Sequence, residues 1–487
     1  MKLSELLYKV SIISTIGEMG VEVKGLAFDS RKVEPGFVFI AMKGTEADGH
    51  LFIEAALEKG AIAIVAEQMP EEFKKGVTYT CVKDSREATS IMASHFYKNP
   101  SKNLQLIGVT GTNGKTTTAT LMFELFKSLG HKCGLISTIS NKIMDDEYPA
   151  THTTPDAISL NALLAKMVRQ NITHCFMEVS SHALHQKRVY GLTYKVGVFT
   201  NISHDHLDYH QSFENYITAK KILFDSLPPE SFAIVNIDDK RGRIMLQNTR
   251  ADKSTFSLKA VADFKGKLIS DSIHGLEMEI GGKEVWFKLV GSFNAYNLLG
   301  VYATAVKLGE DPDEVLRHLS MIGGVAGRFE TVRAEAGVIG IVDYAHTPDA
   351  LENVLSTIQK IRTGNENVIT VLGCGGNRDK GKRPIMASIA CKYSNKVIVT
   401  SDNPRYEDPA AIMSDMIKNL DPVEMRKVLK ILDREEAIKT ACMLSGSEDI
   451  ILVAGKGHET YQEVKGERYP FDDKEVLNRM FKLNLSK

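Results

Sequence analysis

The sequence predicts an α/β protein of three domains, and three observations carry that expectation. Its 487 residues exceed what one core of typical size can hold, and a typical domain length divides them into about three. Around Leu106 an apolar strand runs through a glycine-bearing loop into an amphipathic helix. In the C-terminal third, apolar strands alternate with polar segments that follow their carboxyl ends.

The first boundary falls at Asn99-Pro100-Ser101, where a proline among polar residues ends a helical stretch. Residues 1–100 then form a small α/β domain. In it GLAFDSRKV and FVFIAMKG read as strands around the turn Glu34-Pro35-Gly36, followed by a helix near Leu51 to Lys59 and the strand AIAIVAE. Beyond the boundary Leu104, Leu106, Ile107 and Val109 make a short buried strand. After the loop Leu121, Met122, Leu125, Phe126 and Leu129 recur at helical spacing until Gly130 stops the helix. A second boundary lies near Thr331 to Gly337. Four strand-and-motif units follow it: VIGIV before DYAHTPDA, VITVLG before CGGNRDKGKRP, KVIVT before SDNPRYEDP, and DIILV before AGKGHET. Open α/β sheets bind ligands outside the carboxyl ends of their strands, so these four motifs are expected to converge on one crevice.

Composition narrows the function. Sixty basic residues against 61 acidic ones leave a net charge of −1, so no global field recruits nucleic acid or an anionic membrane. The start, MKLSELLYKVSII, lacks the pattern of a signal peptide, and no later run approaches the roughly 18 apolar residues of a membrane span. A cytoplasmic protein is expected. The six cysteines are scattered without a CxxC pair, which argues against a disulfide frame or zinc knuckle and for buried small residues.

The loop GVTGTNGKTTT, Gly108 to Thr118, has the chemistry of a nucleotide phosphate site. Gly111 and Gly114 let backbone N–H groups turn onto phosphate oxygens, Lys115 can reach the outer phosphates, and Thr116 can offer its hydroxyl to Mg²⁺. The usual spacing would place a glycine where Val109 stands, so the loop is a variant. The strand ITHCFMEVSSHAL ends in Glu178, which lies beside the loop if the two strands are parallel neighbours, and a carboxylate there can hold Mg²⁺ directly or through water. VGVFTNISHDHLDYH sets Asn201, His204, Asp205, His206, Asp208 and His210 after another strand. Magnesium with a histidine ligand, zinc without thiol ligands and a structural polar loop are the readings of that segment.

In the next helix, FENYITAKKILF, turning about 100° per residue puts Phe213, Tyr216, Ile217, Leu223 and Phe224 around Lys220, with Lys221 at the edge of the stripe. A lysine on an apolar face either snorkels to a carboxylate or loses its proton, and a neutral buried amine can take up carbon dioxide as an anionic carbamate.

Together GTNGKTTT, HTTPD, MEVSSH, NISHDHLDYH, GSFNAYN, GRFE, DYAHTPDAL and GKGHE resemble, in order and over essentially the whole chain, the motifs of the Mur ligases, which build the peptide stem of bacterial peptidoglycan at the expense of ATP. With FDSR near the start and DNPR at Asp402 the chain looks most like the type that adds the third amino acid to UDP-N-acetylmuramoyl-L-alanyl-D-glutamate. The resemblance implies a UDP-binding domain over 1–100, a central P-loop ATPase-like domain with a mostly parallel sheet over 101–332, and a Rossmann-like amino-acid-binding domain over 333–487. Arg405 in DNPR favours meso-diaminopimelate over L-lysine, because a guanidinium grips a distal carboxylate and repels a distal ammonium.

Carried over residue by residue, the resemblance gives ATP to Gly111, Thr112, Asn113, Gly114, Lys115, Thr116, Thr117, Asn297, Arg328 and Asp343. It gives the muramoyl dipeptide to Ser30, Thr153, Thr154, Ser180, Gln186 and Arg188, and diaminopimelate to Arg383, Asp402, Asn403, Arg405, Gly455 and Glu459. Thr116, Glu178 and His206 would serve Mg²⁺, Lys220 would be the carbamylated lysine, and Lys115, Lys220, His206 and Glu178 would form the catalytic set. The partners so implied are small molecules, with no nucleic acid and no membrane span, and a monomer is expected. The rivals are lysine addition, folate polyglutamation on the same architecture, and a P-loop switch or motor, which would not need four amino-acid-binding motifs in a third domain.

Overall fold

The computed structural model describes residues 1–44, 47–335, 337–362 and 364–484. The chain packs as two compact units, one formed by 1–111, 122–200 and 207–255, the other by 112–121, 201–206 and 256–487.

The first unit holds two sheets. The N-terminal sheet is built from β1 (Ile12–Ile16), β2 (Gly25–Ala27), β3 (Phe37–Ala41), β4 (Ala63–Ala66) and β5 (Thr78–Val82) in the order β1-β5-β4-β3-β2, with only β1 antiparallel. The strand expected over GLAFDSRKV is shorter than that stretch and runs parallel to β3. Asp29 stops it, accepting the Arg31 N–H at 3.0 Å and pairing with the Arg31 guanidinium, and so caps a short 3-10 helix over Ser30–Lys32.

The larger sheet of this unit comprises β6 (Gln105–Thr110), β7 (Cys133–Ile136), β8 (Ser140–Ile143), β9 (Asp146–Pro149), β10 (His174–Glu178), β11 (Val196–Phe199) and β12 (Phe232–Asn236), ordered β12-β11-β6-β10-β7-β8-β9. Its five strands from β12 to β7 are parallel and β8 and β9 antiparallel. The strand β6 is central and buried from Leu106 on, as its continuous apolar run requires of a parallel strand covered on both faces. The helix Lys115–Ser128 follows the loop and ends before Gly130, whose φ of 93° is the left-handed turn that stops it.

The strand β13 (Asp252–Ser257) ends the first unit's share of the chain at Thr255, and the second unit continues with an antiparallel meander of β14 (Phe264–Ser272), β15 (Gly275–Ile280) and β16 (Lys283–Phe287). The C-terminal sheet consists of β17 (Glu330–Arg333), β18 (Ile339–Asp343), β19 (Val368–Cys374), β20 (Lys396–Ser401), β21 (Val428–Lys430) and β22 (Ile450–Ala454), ordered β17-β18-β22-β19-β20-β21. All four expected strands are present and mutually parallel. One apolar cluster on the sheet includes Leu355, Ile358, Met386 and Met413, and another includes Ala437, Ile438, Leu477 and Phe481, so helices cover both faces in the doubly wound manner. The β17 strand overlaps the start of the boundary stretch and pairs antiparallel with β18; residue 336 of that stretch, and the terminal 485–487, lie outside the described residues. A final hairpin joins β23 (Tyr461–Val464) to β24 (Glu467–Pro470).

The six cysteines are free and buried. Among the described residues no helix is long and apolar enough to cross a membrane.

Candidate active site

Strand register places the first group of chemistry-bearing residues. Glu178 is opposite Val109 in the parallel pairing of β10 with β6, so its carboxylate stands where the loop begins. It is fully buried. Its Oε1 accepts the Thr138 N–H at 2.7 Å, while Oε2 has no partner. A buried carboxylate oxygen left unpaired costs free energy unless something else satisfies it, which is the condition a hard cation meets.

Around Glu178 five of the six expected dipeptide residues, all but Ser30, join in one hydrogen-bonded chain. Thr154 donates to the Glu178 carbonyl at 2.8 Å and accepts the Ser180 N–H at 3.1 Å, and Thr153 lies 3.1 Å from the Thr138 hydroxyl. Arg188 donates to the Thr154 carbonyl and, through Nε and Nη2, to Gln186, whose amide reaches the Tyr209 hydroxyl at 3.0 Å. Burial pushes the Arg188 guanidinium below its ordinary value, so the site carries a desolvated cation suited to an anionic ligand. Lys187, between these two residues, pairs with Asp84 and Glu87, and its carbonyl accepts the Ser90 hydroxyl, which ties the segment to the N-terminal sheet's own helix Ser85–Phe96. Ser30 starts the short 3-10 helix at the end of β2, half-buried.

Lys220 is 1% exposed on the helix Phe213–Asp225, as the apolar stripe requires, while Lys221 at its edge pairs with Asp225. The Lys220 ammonium does not reach solvent. It donates to the Gly111 carbonyl at 2.7 Å, with Nζ 4.6 Å from the Tyr216 ring centre.

The rest of the loop belongs to the second unit. Asn201 pins it: its carbonyl accepts the Thr112 N–H, its Oδ1 the Asn113 N–H, and its amide donates to the Asn113 carbonyl. The Lys115 ammonium bends back to the Thr112 carbonyl at 2.8 Å. Gly114 has φ 85°, and a Cβ on it would stand 2.5 Å from Asn297 Oδ1, so both the turn and the close approach demand glycine. Thr118 donates to the same Asn297 oxygen. Thr116 and Thr117 are buried, and the Thr116 hydroxyl accepts from Arg328 at 3.1 Å. The Arg328 guanidinium lies 4.7 Å from the Tyr344 ring centre with Nε unpartnered, and Asp343 accepts the Phe329 N–H at 2.6 Å. His206 is exposed at φ 54°, with Asp205 Oδ2 3.5 Å from its ring nitrogen. His210 instead is buried against the Ser181 hydroxyl, and the side chain of Asp208 lies outside the described residues. No group of three or more His, Cys, Asp or Glu among the described residues is arranged to hold a metal alone.

The four C-terminal motifs do converge. Gly455 donates to the Asp343 carbonyl, Gly376 to that of Asn403, Lys382 to that of His346, and the Tyr344 and His458 rings lie 5.0 Å apart. Asn403 donates to Glu459 at 2.7 Å, and the fully buried Lys456 ammonium lies between Glu459 and the Asn403 side-chain Oδ1. A Cβ on Gly455 would sit 2.7 Å from an Asp402 carboxylate oxygen. Arg405 holds φ 51°, fixed by its N–H to the Glu463 carbonyl and its carbonyl to the Lys465 N–H; its Nη1 donates to the Gly376 carbonyl at 2.8 Å, with Glu463 3.6 Å from Nε.

Arg383 is placed differently from an open pocket residue. It is 1% exposed, its guanidinium divided between Glu407 and Asp415, and the pairing holds the Glu407 carboxyl down at about 2. The exposed arginine of that loop is Arg378, whose stem passes the same glycine, Gly375, that faces the Arg405 guanidinium. Sequence reading missed Arg378, Thr138 and Tyr209. The first stands in the motif CGGNRDKGKRP ahead of Arg383, and the motif alone does not say which of the two is open to the pocket; the other two gain their place only from tertiary hydrogen bonds.

A variant phosphate loop on a parallel sheet, a buried lysine against that loop and a second doubly wound sheet with four converging motifs define an ATP-dependent ligase. The chain belongs to the Mur ligase family: the model of the Mur ligase middle domain matches residues 109–305, that of the Mur ligase glutamate ligase domain 327–457, and that of the Mur ligase family catalytic domain 22–97. Among curated proteins it is 58% identical over 481 residues, 99% of each chain, to the UDP-N-acetylmuramoyl-L-alanyl-D-glutamate--2,6-diaminopimelate ligase of Cytophaga hutchinsonii, and 42% identical to that of Bacillus cereus over 98% of this chain and 97% of the other. A solved structure of a ligase of that name aligns with TM-score 0.71 and 34% identity over 100% of this chain and 99% of the other. The MurF ligase of Thermotoga maritima in complex with ADP shares the fold at TM-score 0.61 and 18% identity, over 96% and 99%.

Two titrating groups beside Arg328 give opposite pH signatures. Burial first, then the charges of Arg328 and Lys456, push His458 from 6.5 to about 3, and burial lifts the Asp343 carboxyl from 3.8 to about 6. The histidine's stabilising contribution is therefore complete above pH 6.5 and is lost as pH falls toward 3, while the aspartate's is complete below 3.8 and lost as pH rises through 6. Comparing wild type with His458→Asn isolates the first. Between neutral pH and about pH 5 the wild type is expected to lose about 2 kcal/mol more stability than the variant, read from melting curves. Parallel curves for the two proteins would contradict the assignment.

Proposed function

We propose that the chain joins meso-diaminopimelate to the D-glutamate of UDP-N-acetylmuramoyl-L-alanyl-D-glutamate with cleavage of ATP to ADP and phosphate, in cytoplasmic peptidoglycan precursor synthesis. The observation that carries the choice of amino acid is Arg405, held by backbone and side-chain partners with Arg378 beside it and Asn403, Asp402 and Glu459 around it. Two guanidinium groups suit the distal carboxylate of diaminopimelate, and the carboxylates suit its distal ammonium. Buried Arg383 acts through Glu407, which accepts the Asn377 N–H and so holds the CGGNRDKG loop.

In the reaction a γ-carboxylate oxygen of D-glutamate takes the terminal phosphoryl group of ATP, and ADP leaves. The carboxylate becomes an acyl phosphate, an electrophile that an amine can attack. The amino group of diaminopimelate adds to that carbon and loses its proton, and the tetrahedral intermediate expels phosphate to leave the amide. Gly111 to Thr117 cradle the phosphates, with Lys115 moving from the Thr112 carbonyl onto the transferring group, and Asn297, Arg328 and Asp343 complete the nucleotide site. Thr153, Thr154, Ser180, Gln186 and Arg188 hold the dipeptide, and Ser30 the uridine end. Thr116, Glu178 and His206 would hold Mg²⁺, whose charge offsets that of the phosphate oxygens; the orphaned Glu178 Oε2 supports that fit.

Lys220 has a separate role. Its buried amine, once neutral, adds through nitrogen to the carbon of CO₂ and releases a proton, giving a carbamate that turns a buried cation into an anion beside the loop. Lys220→Ala is expected to lose turnover by about a hundredfold or more and to recover part of it with millimolar formate or acetate. Full activity without the lysine would remove the carbamate.

The reading as a whole is tested by phosphate release from ATP and UDP-muramoyl dipeptide with either meso-diaminopimelate or L-lysine. Release dependent on diaminopimelate is expected, and Arg405→Ala should raise KM for that amino acid by about tenfold or more while leaving KM for ATP nearly unchanged. Equal rates with L-lysine would assign the chain to lysine addition.

A further inference from the structure

Asp402 and Asn403 follow directly on the end of β20, and Gly455 and Lys456 on the end of β22, with β19 lying between the two strands. A strand end is held by its ladder only as far as the ladder runs. Past that point the carbonyls of Ser401, Asp402 and Ala454 need other donors.

Two side chains from outside the four motifs supply them. Arg434 begins the helix Arg434–Leu444 and is fully buried with Asp473, which accepts from Nε at 2.7 Å and from Nη2 at 2.8 Å. The remaining hydrogens of the same guanidinium reach the Ala454 carbonyl at 3.1 Å and the Ser401 carbonyl at 3.4 Å, so one planar group spans the two strand ends that flank β19. Gln462, on β23, donates to the Asp402 carbonyl at 2.6 Å and the Ser401 hydroxyl at 3.2 Å. A buried ion pair is weak evidence for stability, since apolar residues of similar volume replace such pairs at little cost. A rigid fork that ties two loops is a different matter, because neither lysine nor an apolar residue can reproduce it.

We propose that Arg434 and Gln462 are positioning residues for the amino-acid pocket: they fix the backbone from which Asp402, Asn403 and Gly455 meet the incoming amino acid. The proposal rests on the amino-acid pocket named above. Neither side chain touches substrate. Their effect is on the geometry of groups that do, where displacement of about 1 Å can cost a hundredfold.

The test separates positioning from folding. Gln462→Leu removes a half-buried amide and no ion pair. The double variant Arg434→Met with Asp473→Leu replaces the pair by apolar volume but cannot reach the carbonyls. Each is measured by phosphate release across concentrations of meso-diaminopimelate and, separately, of ATP, alongside its melting temperature. We expect KM for diaminopimelate to rise about tenfold in both variants with KM for ATP within about twofold of wild type and melting temperatures nearly unchanged. Unchanged KM for the amino acid in folded Gln462→Leu, or a rise in both KM values together, overturns the proposal. Should the double variant fail to fold, Arg434→Lys, which keeps a charge for Asp473 but reaches one carbonyl at most, gives the same reading. Wild type that responds to L-lysine and not to diaminopimelate would refute the substrate reading alone; the same KM pattern is then required for L-lysine.

Discussion

The parallel register of the two main sheets decides where the motifs that follow their strands end up. In the first unit Glu178 stands opposite Val109 and Phe199 opposite Thr110, so the residues beyond β6, β10 and β11 leave from one edge. In the second, Asp343 stands opposite Ala454, and Cys374 opposite Ser401, which brings DYAH, CGGN, DNPR and GKGHE to one edge as well. Slipping any of these strands by one residue would turn its buried side chains to the opposite face, so the apolar packing that sets the register also sets the chemistry.

The second constraint is burial of positive charge. Lys220 lies against the Gly111 carbonyl, Lys456 between Glu459 and Asn403, Arg383 between Glu407 and Asp415, and Arg434 against Asp473 and two strand-end carbonyls. Each position would be cheaper to fill with an apolar residue if shape alone mattered. What three of these cations share is that a partner oxygen belongs to a loop or strand end that carries site residues, and the fourth touches the phosphate loop itself. Charge is retained where it orients backbone.

Much of this was legible in the sequence, for reasons that differ between parts. The strand and helix around the phosphate loop follow from a continuous apolar run, a glycine stop and helical spacing, all local signals. The same spacing put Lys220 on the buried stripe. The four C-terminal strands were legible as apolar runs, and their convergence followed from the rule for open α/β sheets. The GLAFDSRKV stretch was read as one strand because the Asp29 cap and the Arg31 pairing that end it compete with a strand pattern in the same residues. The strand β17, Glu330–Arg333, which overlaps the start of the Thr331 to Gly337 boundary stretch, is not announced by the sequence, since a short edge strand has no apolar run. Arg383 and Arg378 could not be told apart from the motif alone: which one is buried depends on Glu407 and Asp415, brought close by the sheet.

The central claim is that the loop from Gly108 to Thr118 activates a carboxylate, and the fate of that carboxylate's oxygen tests it. With ¹⁸O in both γ-carboxylate positions of the D-glutamate, one turnover should deliver one labelled oxygen to inorganic phosphate and leave the other in the new amide, as mass spectrometry of the two products reports. Phosphate free of label, with both labelled oxygens still on the glutamate side or lost to water, would contradict the account.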